Sequence, residues 1–301
     1  MDRGLIRQEL PVLPLNPGGL NVDNRTGFAE RTTRRGASNR DDTGACIQMP
    51  QQAQITSSEY WQDARRPLTC LLFLLPWIAL YEAGVIMLAD KDPDQLRNGA
   101  DYWMRSLLSA AGLGQILFLP LLVVAVMLTW HVMRRHPWQV KLETQVGMLG
   151  ESLLFAIALL AVGQIHQVLF LSLAPPTDSQ TALLSIGDGS LTRAVSYVGA
   201  GVYEEVMFRL LLVPAAYGFF RLFEFPQKSA AVMAAVSTAF IFAMAHHIGP
   251  AADPFNLYTF SFRAAAGTFF AAVFFVRGFG ITVGTHAAYD LLVGVVLADS
   301  V

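Results

Sequence analysis

Long apolar runs dominate the chain after residue 66, and they constrain its fold more than any other feature. Seven runs supply close to the roughly 20 residues that an α-helix needs to cross a bilayer. Lipid tolerates no unpaired backbone groups, so such spans are helical. We therefore predict an all-α, polytopic helical membrane bundle with about seven transmembrane helices within residues 67–298. The predicted spans are 68–89, 113–133, 146–173, 193–220, 230–247, 257–276 and 281–298.

Composition agrees with a membrane protein and excludes two other classes. Charged residues make up only 15% of the chain and the mean hydropathy is +0.43, whereas soluble domains carry about 25% charged residues. The net charge of -2 gives no indication of a nucleic-acid partner. The two cysteines, Cys46 and Cys70, provide neither a disulfide framework nor a thiolate metal site.

The first 60 residues differ from the rest of the chain. Polar and small residues dominate them, and no apolar periodicity is long enough to build a helix or strand. No apolar segment resembles a secretory signal peptide. We expect residues 1–60 to form a disordered cytosolic tail; alternatively, translation begins at Met49.

Basic residues between the spans predict the orientation. They collect in the loops on the side of the amino terminus, while Arg97 and Arg105 on the other side stand beside acidic residues. This bias predicts a cytoplasmic amino terminus, and we expect a multi-pass protein of the plasma (inner) membrane. Residues 102–108 predict a short interfacial helix. The basic residues on the amino-terminal side are Arg65, Arg66, Arg134, Arg135, Lys141, Arg221, Lys228 and Arg277.

The fourth apolar run contains three charged residues, Glu204, Glu205 and Arg209. Each charge costs about 2.5–3.5 kcal/mol at the centre of a membrane helix, so we expect all three to face the bundle interior. Glu205 and Arg209 are four residues apart and can form an ion pair on one helix face. Glu204 points about 100° away and lacks that partner, which suits it to act as a general base. The alternative is a polar group that only holds helices together.

Two later runs carry histidines. The fifth run ends with His246 and His247, and the seventh contains His286 and Asp290, which share one helix face. A carboxylate beside a histidine can orient the ring or hold its proton. Three of the last four apolar runs each supply ionisable groups, which indicates one shared polar site.

These segments resemble the CPBP family, which comprises CAAX prenyl endopeptidases and bacteriocin-processing or self-immunity proteins, also called Abi. The family has the motifs E-E-x-x-x-R, F-x-x-x-H and H-x-x-x-N or H-x-x-x-D on successive membrane helices. The resemblance covers residues 193–298, which we expect to be the catalytic region. The matching residues are Glu204, Glu205 and Arg209, then Phe242 and His246, then His286 and Asp290.

The resemblance implies an intramembrane endopeptidase that cleaves near a membrane-embedded or lipidated C-terminus of a protein or peptide. It assigns Glu204 and His246 to water activation, and His286 and Asp290 to the oxyanion. Glu205 and Arg209 would give structural support. The prenyl endopeptidases usually carry Asn at the position of Asp290. Because an ionised Asp only accepts hydrogen bonds, we expect Asp290 to hold His286 charged or in one tautomer.

Metal use and function leave alternatives open. Glu204, His246 and His286 could hold Zn²⁺, since three N/O ligands and a water form a catalytic zinc site. The chain lacks the H-E-x-x-H spacing that enforces metal binding, so we expect no essential cofactor. Two other functions would use the same polar cluster: a non-enzymatic scaffold or bacteriocin-immunity-type protein, and an ion- or proton-coupled transporter. A transporter would predict inverted repeats, which the sequence does not contain.

Helix geometry adds a constraint on the fifth and seventh runs. At 1.5 Å per residue, His246 would lie ~27 Å and His286 only ~9 Å from the cytoplasmic ends of straight spans. Residues so different in depth cannot act on one carbonyl. We therefore predict that residues 248–254 dip inward over a water-accessible cavity, since irregular backbone is tolerated at depth beside such a cavity.

Overall fold

The computed structural model describes residues 57–89, 96–173, 190–249 and 252–297, and these residues form helices without any strand. The all-α prediction is therefore confirmed. The helices are α1 (Ser57–Asp63), α2 (Pro67–Leu88), α3 (Gly99–Ala110), α4 (Phe118–Met133), α5 (Leu142–Leu173), α6 (Ser190–Glu205), α7 (Val213–Leu222), α8 (Gln227–Ala245), α9 (Leu257–Arg277) and α10 (Phe279–Leu291), with π-helical segments at Val206–Leu212 and Leu292–Leu297.

Among the described residues, five helices are long and apolar enough to cross a membrane, as expected of an integral membrane protein. They are α2, α5, α8, α9, and α10 with its π-helical extension. Helix α4 is apolar but has only 16 residues. The fourth predicted span falls on α6, the first π segment and α7, which follow one another directly. The number of seven crossings remains a prediction.

Residues 57–60 of the predicted amino-terminal tail are helical, and the tail itself remains a prediction. Residues 1–56 lie outside the described residues, and residues 57–60 begin α1. An aromatic contact explains this helix, because the guanidinium of Arg277 lies 3.8 Å from the ring centroid of Trp61. Arg277 also forms two hydrogen bonds with Glu151 on α5, at 2.6 and 2.7 Å. The end of α9 is thus held between α1 and α5.

Helix α10 is the centre of the bundle, and residues 279–288 are all buried. Small residues permit the close approach of its neighbours, as is usual between membrane helices. A Cβ added to Gly201 on α6 would lie 2.6 Å from the backbone nitrogen of Ala287. A Cβ on Gly284 would lie 2.4 Å from the Ser152 hydroxyl on α5. Glycine at these positions therefore sets the spacing of α5, α6 and α10.

The glutamate pair lies where a regular helix changes its hydrogen-bond pattern. Glu205 ends α6, and Val206–Leu212 is π-helical. The backbone N–H of Val213 accordingly bonds to the carbonyl of Phe208, five residues earlier. Pro214 stands in the first turn of α7, where its missing N–H is tolerated. Such π-helical insertions frequently occur at functional sites.

Candidate active site

Three helices bring Glu204, His246 and His286 together. One carboxylate oxygen of Glu204, Oε2, lies 3.9 Å from Nε2 of His246 and 3.9 Å from Nε2 of His286. Glu204 is the penultimate residue of α6, His246 immediately follows α8, and His286 lies within α10. Three residues that are far apart in the sequence therefore converge on one carboxylate, within the span of a single bridging water.

Glu205 has two partners in the bundle interior. Its Oε1 lies 3.0 Å from Nη1 of Arg209, which is the ion pair expected from the spacing of four residues. The same oxygen lies 2.7 Å from Nδ1 of His286. Sequence reasoning assigned Glu205 only to Arg209 and did not foresee the contact with His286. Both the Glu205 and the Arg209 side chains are almost completely buried.

Arg209 is enclosed by backbone and aromatic groups. Its Nη2 donates a hydrogen bond to the carbonyl of Gly267 on α9, at 3.2 Å. The guanidinium lies 4.7 Å from the ring centroid of Phe242 and 5.3 Å from that of Phe270, within the usual range of cation–π contacts. Arg209 thus links the glutamate pair to α8 and α9.

Hydrogen bonding fixes which ring nitrogen of His246 carries the proton. Its Nδ1 lies 2.8 Å from the carbonyl oxygen of Phe242, and a carbonyl can only accept. The proton is therefore on Nδ1, so in the neutral ring Nε2 has a lone pair directed at Glu204. The neighbouring His247 faces away from this group, with Nδ1 3.0 Å from the carbonyl of Asp253.

His286 lies between carboxylates on both sides of its ring. Nδ1 donates to Glu205, because a carboxylate in its ionised form only accepts. Nε2 lies 3.4 Å from Oδ2 of Asp290, on the same face of α10 as the sequence spacing required. The ring stacks on Phe270 at a centroid distance of 4.4 Å. These contacts hold the imidazole in one orientation and keep it 4% exposed.

A cavity of about 190 Å³ opens beside the glutamate and is lined in part by Glu204 and His246. Helix α3 supplies one wall through Tyr102 and Trp103, and the π segment supplies another through Met207 and Phe208. His286 is not part of this lining, but its Nε2 lies 3.9 Å from Glu204. An aromatic and apolar space thus leads to a carboxylate with histidines on two sides.

The inward dip of the segment after α8 remains a prediction, since its described residues 248, 249 and 252–255 are exposed; the segment does border the cavity. Ile248 and Asp253 are part of its lining, whereas Pro250 and Ala251 lie outside the described residues. The backbone N–H of Asp253 donates to the carbonyl of His246 at 2.9 Å. Its carboxylate binds Arg263 on α9 at 2.5 Å. Through Asp253, the turn that follows His246 is thus bound both to the end of α8 and to α9.

The distances from Glu204 to the two histidines are longer than those between the ligands of tetrahedral zinc. Tetrahedral zinc with bonds of about 2.0–2.2 Å would place its donor atoms about 3.3–3.6 Å apart. Glu204 lies 3.9 Å from each histidine nitrogen instead. Within the described residues, no group of three His, Cys, Asp or Glu side chains is arranged to hold a metal ion.

A second buried polar cluster borders the same cavity, and sequence reasoning missed it. Glu82 of α2 binds Arg105 of α3 at 2.6 Å, and Asp101 binds both Arg105 at 2.6 Å and Arg97 at 2.7 Å. Tyr203 of α6 donates to Glu82 at 2.6 Å. Two signals could have revealed it: a carboxylate within the first apolar run, and an Asp–Arg pair four residues apart.

The fold and the site together define a class: an integral membrane protein with a Glu–His centre enclosed by helices. Residues 189–292, about a third of the chain, match the family model described as type II CAAX prenyl endopeptidase Rce1-like. This match confirms the resemblance found in the three motifs: the region is similar to CAAX intramembrane proteases of the CPBP family. No curated protein and no solved structure gives a significant match.

Proposed function

We propose that the protein is an intramembrane endopeptidase that hydrolyses a peptide bond near a membrane-embedded or lipidated C-terminus. The observation that carries this proposal is the position of Glu204, 3.9 Å from two histidine nitrogens and in the lining of an aromatic cavity. The family match supports endopeptidase activity in general. The residue roles that follow are part of the proposal.

Water activation falls to Glu204 and His246. A single water can hydrogen-bond to Glu204 Oε2 and to Nε2 of His246, which lie 3.9 Å apart. The lone pair on Nε2 orients one O–H bond, and the carboxylate takes the other proton as the oxygen attacks the scissile carbonyl. Glu204 then returns this proton to the leaving amine, so that the C–N bond breaks without forming an amide anion.

Stabilisation of the oxyanion falls to His286, whose ring has Glu205 at Nδ1 and Asp290 beside Nε2. A proton on Nε2 as well as Nδ1 gives an imidazolium that Glu205 and Asp290 flank at 2.7 and 3.4 Å. Such a ring can donate to the negative oxygen of the tetrahedral intermediate, which is the largest single contribution in many hydrolases. Glu205 and Arg209 act as structural support.

The cavity lining supports an apolar substrate. Tyr102, Trp103, Met207, Phe208 and Ile248 offer aromatic and aliphatic surface next to Glu204. A lipid group or an apolar side chain would bury surface favourably against these residues, while Arg97 and Asp253 add charged groups to the same lining. We therefore propose a membrane-associated protein or peptide as substrate, with prenylated C-termini as the first class to test.

We further propose that catalysis needs no metal, since Glu204 lies farther from both histidine nitrogens than the ligands of tetrahedral zinc lie from one another and a water can be activated by carboxylate and imidazole alone. The basic loop residues support an amino terminus in the cytoplasm, and we propose a place in the plasma (inner) membrane.

Two adjacent histidines allow a matched test. The protein is reconstituted in lipid nanodiscs with a farnesylated peptide that carries a quenched fluorophore, and cleavage products are located by mass spectrometry. We expect internal cleavage by the wild type, loss of activity in His246→Ala, and activity close to wild type in His247→Ala. Equal activity of the two variants, or no cleavage by the wild type, would contradict the proposal and favour a non-enzymatic scaffold.

A further inference from the structure

The second polar cluster, made of Glu82, Arg97, Asp101, Arg105 and Tyr203, has no part in the mechanism above. Four of these residues are buried, and the side chain of the fifth, Arg105, is 15% exposed. Two acids and two arginines balance in charge, and their contacts span α2, α3 and α6. The cluster therefore joins the helix that carries Glu204 to the helix that forms a wall of the cavity.

Burial of four charges is a poor way to gain stability. Apolar side chains of similar volume would dock α3 at least as well, because desolvation offsets much of the attraction in a buried ion pair. Buried polar groups do, however, fix one geometry among several, since any displacement leaves hydrogen-bonding groups unpaired. The cluster is suited to hold its helices in one relative position.

That position matters for Glu204 because Tyr203 is the preceding residue. The Tyr203 hydroxyl donates to Oε1 of Glu82 at 2.6 Å, and Arg105 binds the same oxygen. This contact restrains the rotation and the height of α6 at the turn from which Glu204 projects. Arg97, at the other end of the cluster, lies in the cavity lining together with Glu204.

We propose that Tyr203 and Glu82 are positioning residues, which hold the Glu204 carboxylate at its distance from the two histidines and from the α3 wall. This inference rests on the proposed function for its effect on catalysis. The contact itself makes a second, independent claim: without the Tyr203–Glu82 hydrogen bond, the accessibility of the Glu204 carboxyl changes even when no substrate is present.

A neighbouring tyrosine provides the matched control. Tyr81 packs edge to face against Tyr203 at 5.4 Å and donates to Asp101 in the same cluster at 2.8 Å, but it does not adjoin Glu204. Tyr203→Phe and Tyr81→Phe each remove one buried hydroxyl. Three quantities are measured in nanodiscs for both variants: the thermal midpoint, kcat and KM with the farnesylated peptide, and the rate at which dicyclohexylcarbodiimide modifies Glu204.

We expect the two variants to lower the thermal midpoint by similar amounts but to differ in their effect on kcat. Tyr203→Phe should lower kcat at least about tenfold at nearly constant KM, since small misplacements of reacting groups have effects of this order or larger. It should also change the Glu204 modification rate, whereas Tyr81→Phe leaves both near wild type. Equal effects of the two variants on kcat and modification rate would overturn the inference. If the wild type cleaves no peptide, the proposed function fails, and the positioning role is then decided by the rate at which Glu204 is modified. A modification rate unchanged in Tyr203→Phe overturns the positioning role, and a changed rate supports it.

Discussion

The Glu205 carboxylate lies 2.7 Å from Nδ1 of His286, and this contact joins the glutamate helix to the helix of the H-x-x-x-D motif. It leaves Nε2 of His286 directed towards Glu204 and Asp290. The second glutamate of the pair therefore does more than neutralise Arg209. It determines which nitrogen of His286 faces the site.

Glu205 is expected to be a structural residue. Glu205→Ala leaves Arg209 and His286 without their shared partner in the bundle interior, and breaking such a buried pair destabilises a protein by about 3–5 kcal/mol. Folded yield and thermal midpoint should fall clearly, whereas Glu204→Gln should match the wild type in both. The reverse pattern, with Glu205→Gln well folded and inactive while Glu204→Gln remains active, would exchange the roles assigned to the two glutamates.

Gly201 is expected to tolerate no side chain. A Cβ at this position meets the nitrogen and Cα of Ala287 at 2.6 and 2.7 Å, and this backbone cannot rotate away. Gly201→Ala should separate α6 from α10 and lower both the thermal midpoint and the activity. Gly218→Ala in α7 is the control, since a Cβ there has no neighbour within 4 Å; it should be neutral or up to about 1 kcal/mol stabilising. Equal thermal midpoints for the two variants would contradict the close packing of α6 and α10.

Chelators are expected to leave most of the activity. Glu204 lies farther from both histidine nitrogens than the ligands of tetrahedral zinc lie from one another, and a carboxylate with an imidazole can activate water alone, so we expect EDTA or phenanthroline to remove no essential group. Elemental analysis of the purified protein should find less than one zinc per chain. Stoichiometric zinc that is lost together with activity, and restores activity when added back, would place the histidines in ligand roles.

Asp290 is expected to be replaceable by asparagine. An amide at this position can still accept from His286 and can itself donate to an oxyanion, so Asp290→Asn should keep kcat within about tenfold of the wild type. Leucine at this position can neither accept nor donate a hydrogen bond. The kcat of Asp290→Leu should therefore fall about a hundredfold, comparable with the loss of an oxyanion donor. Tyr289→Phe serves as the neighbouring control. Equal inactivity of the Asn and Leu variants would show that the negative charge itself is required.

Local spacing in the sequence was enough to predict several contacts. Residues four apart on a helix share a face, so the Glu205–Arg209 and His286–Asp290 pairs follow from the order of residues alone. The three motifs likewise identified the residues that converge around Glu204. The depth of His246 and His286 in straight spans predicted an inward dip of the segment after α8, whereas its described residues are exposed and only Ile248 and Asp253 line the cavity.

Contacts between distant helices could not be predicted in this way. Glu205 and His286 are 81 positions apart, and their approach depends on the close packing of α6 and α10 at Gly201. Arg105 was taken for a loop charge, although a partner on α2 holds it in the interior. The π-helical turn after Glu205 also left no signature beyond Pro214. Each of these features is set by tertiary packing and not by local periodicity.

The most direct test of the account is the turnover of the farnesylated peptide by Glu204→Gln at equal folded fraction. Glutamine keeps the size of the side chain but cannot take a proton from water, and the loss of a general base lowers rates by about 10²–10⁴-fold. Glu224→Gln, which changes an exposed glutamate between α7 and α8, is the control. The account predicts a loss of at least about a hundredfold in kcat for Glu204→Gln and none for Glu224→Gln. A Glu204→Gln variant that keeps kcat within about tenfold of the wild type would contradict it.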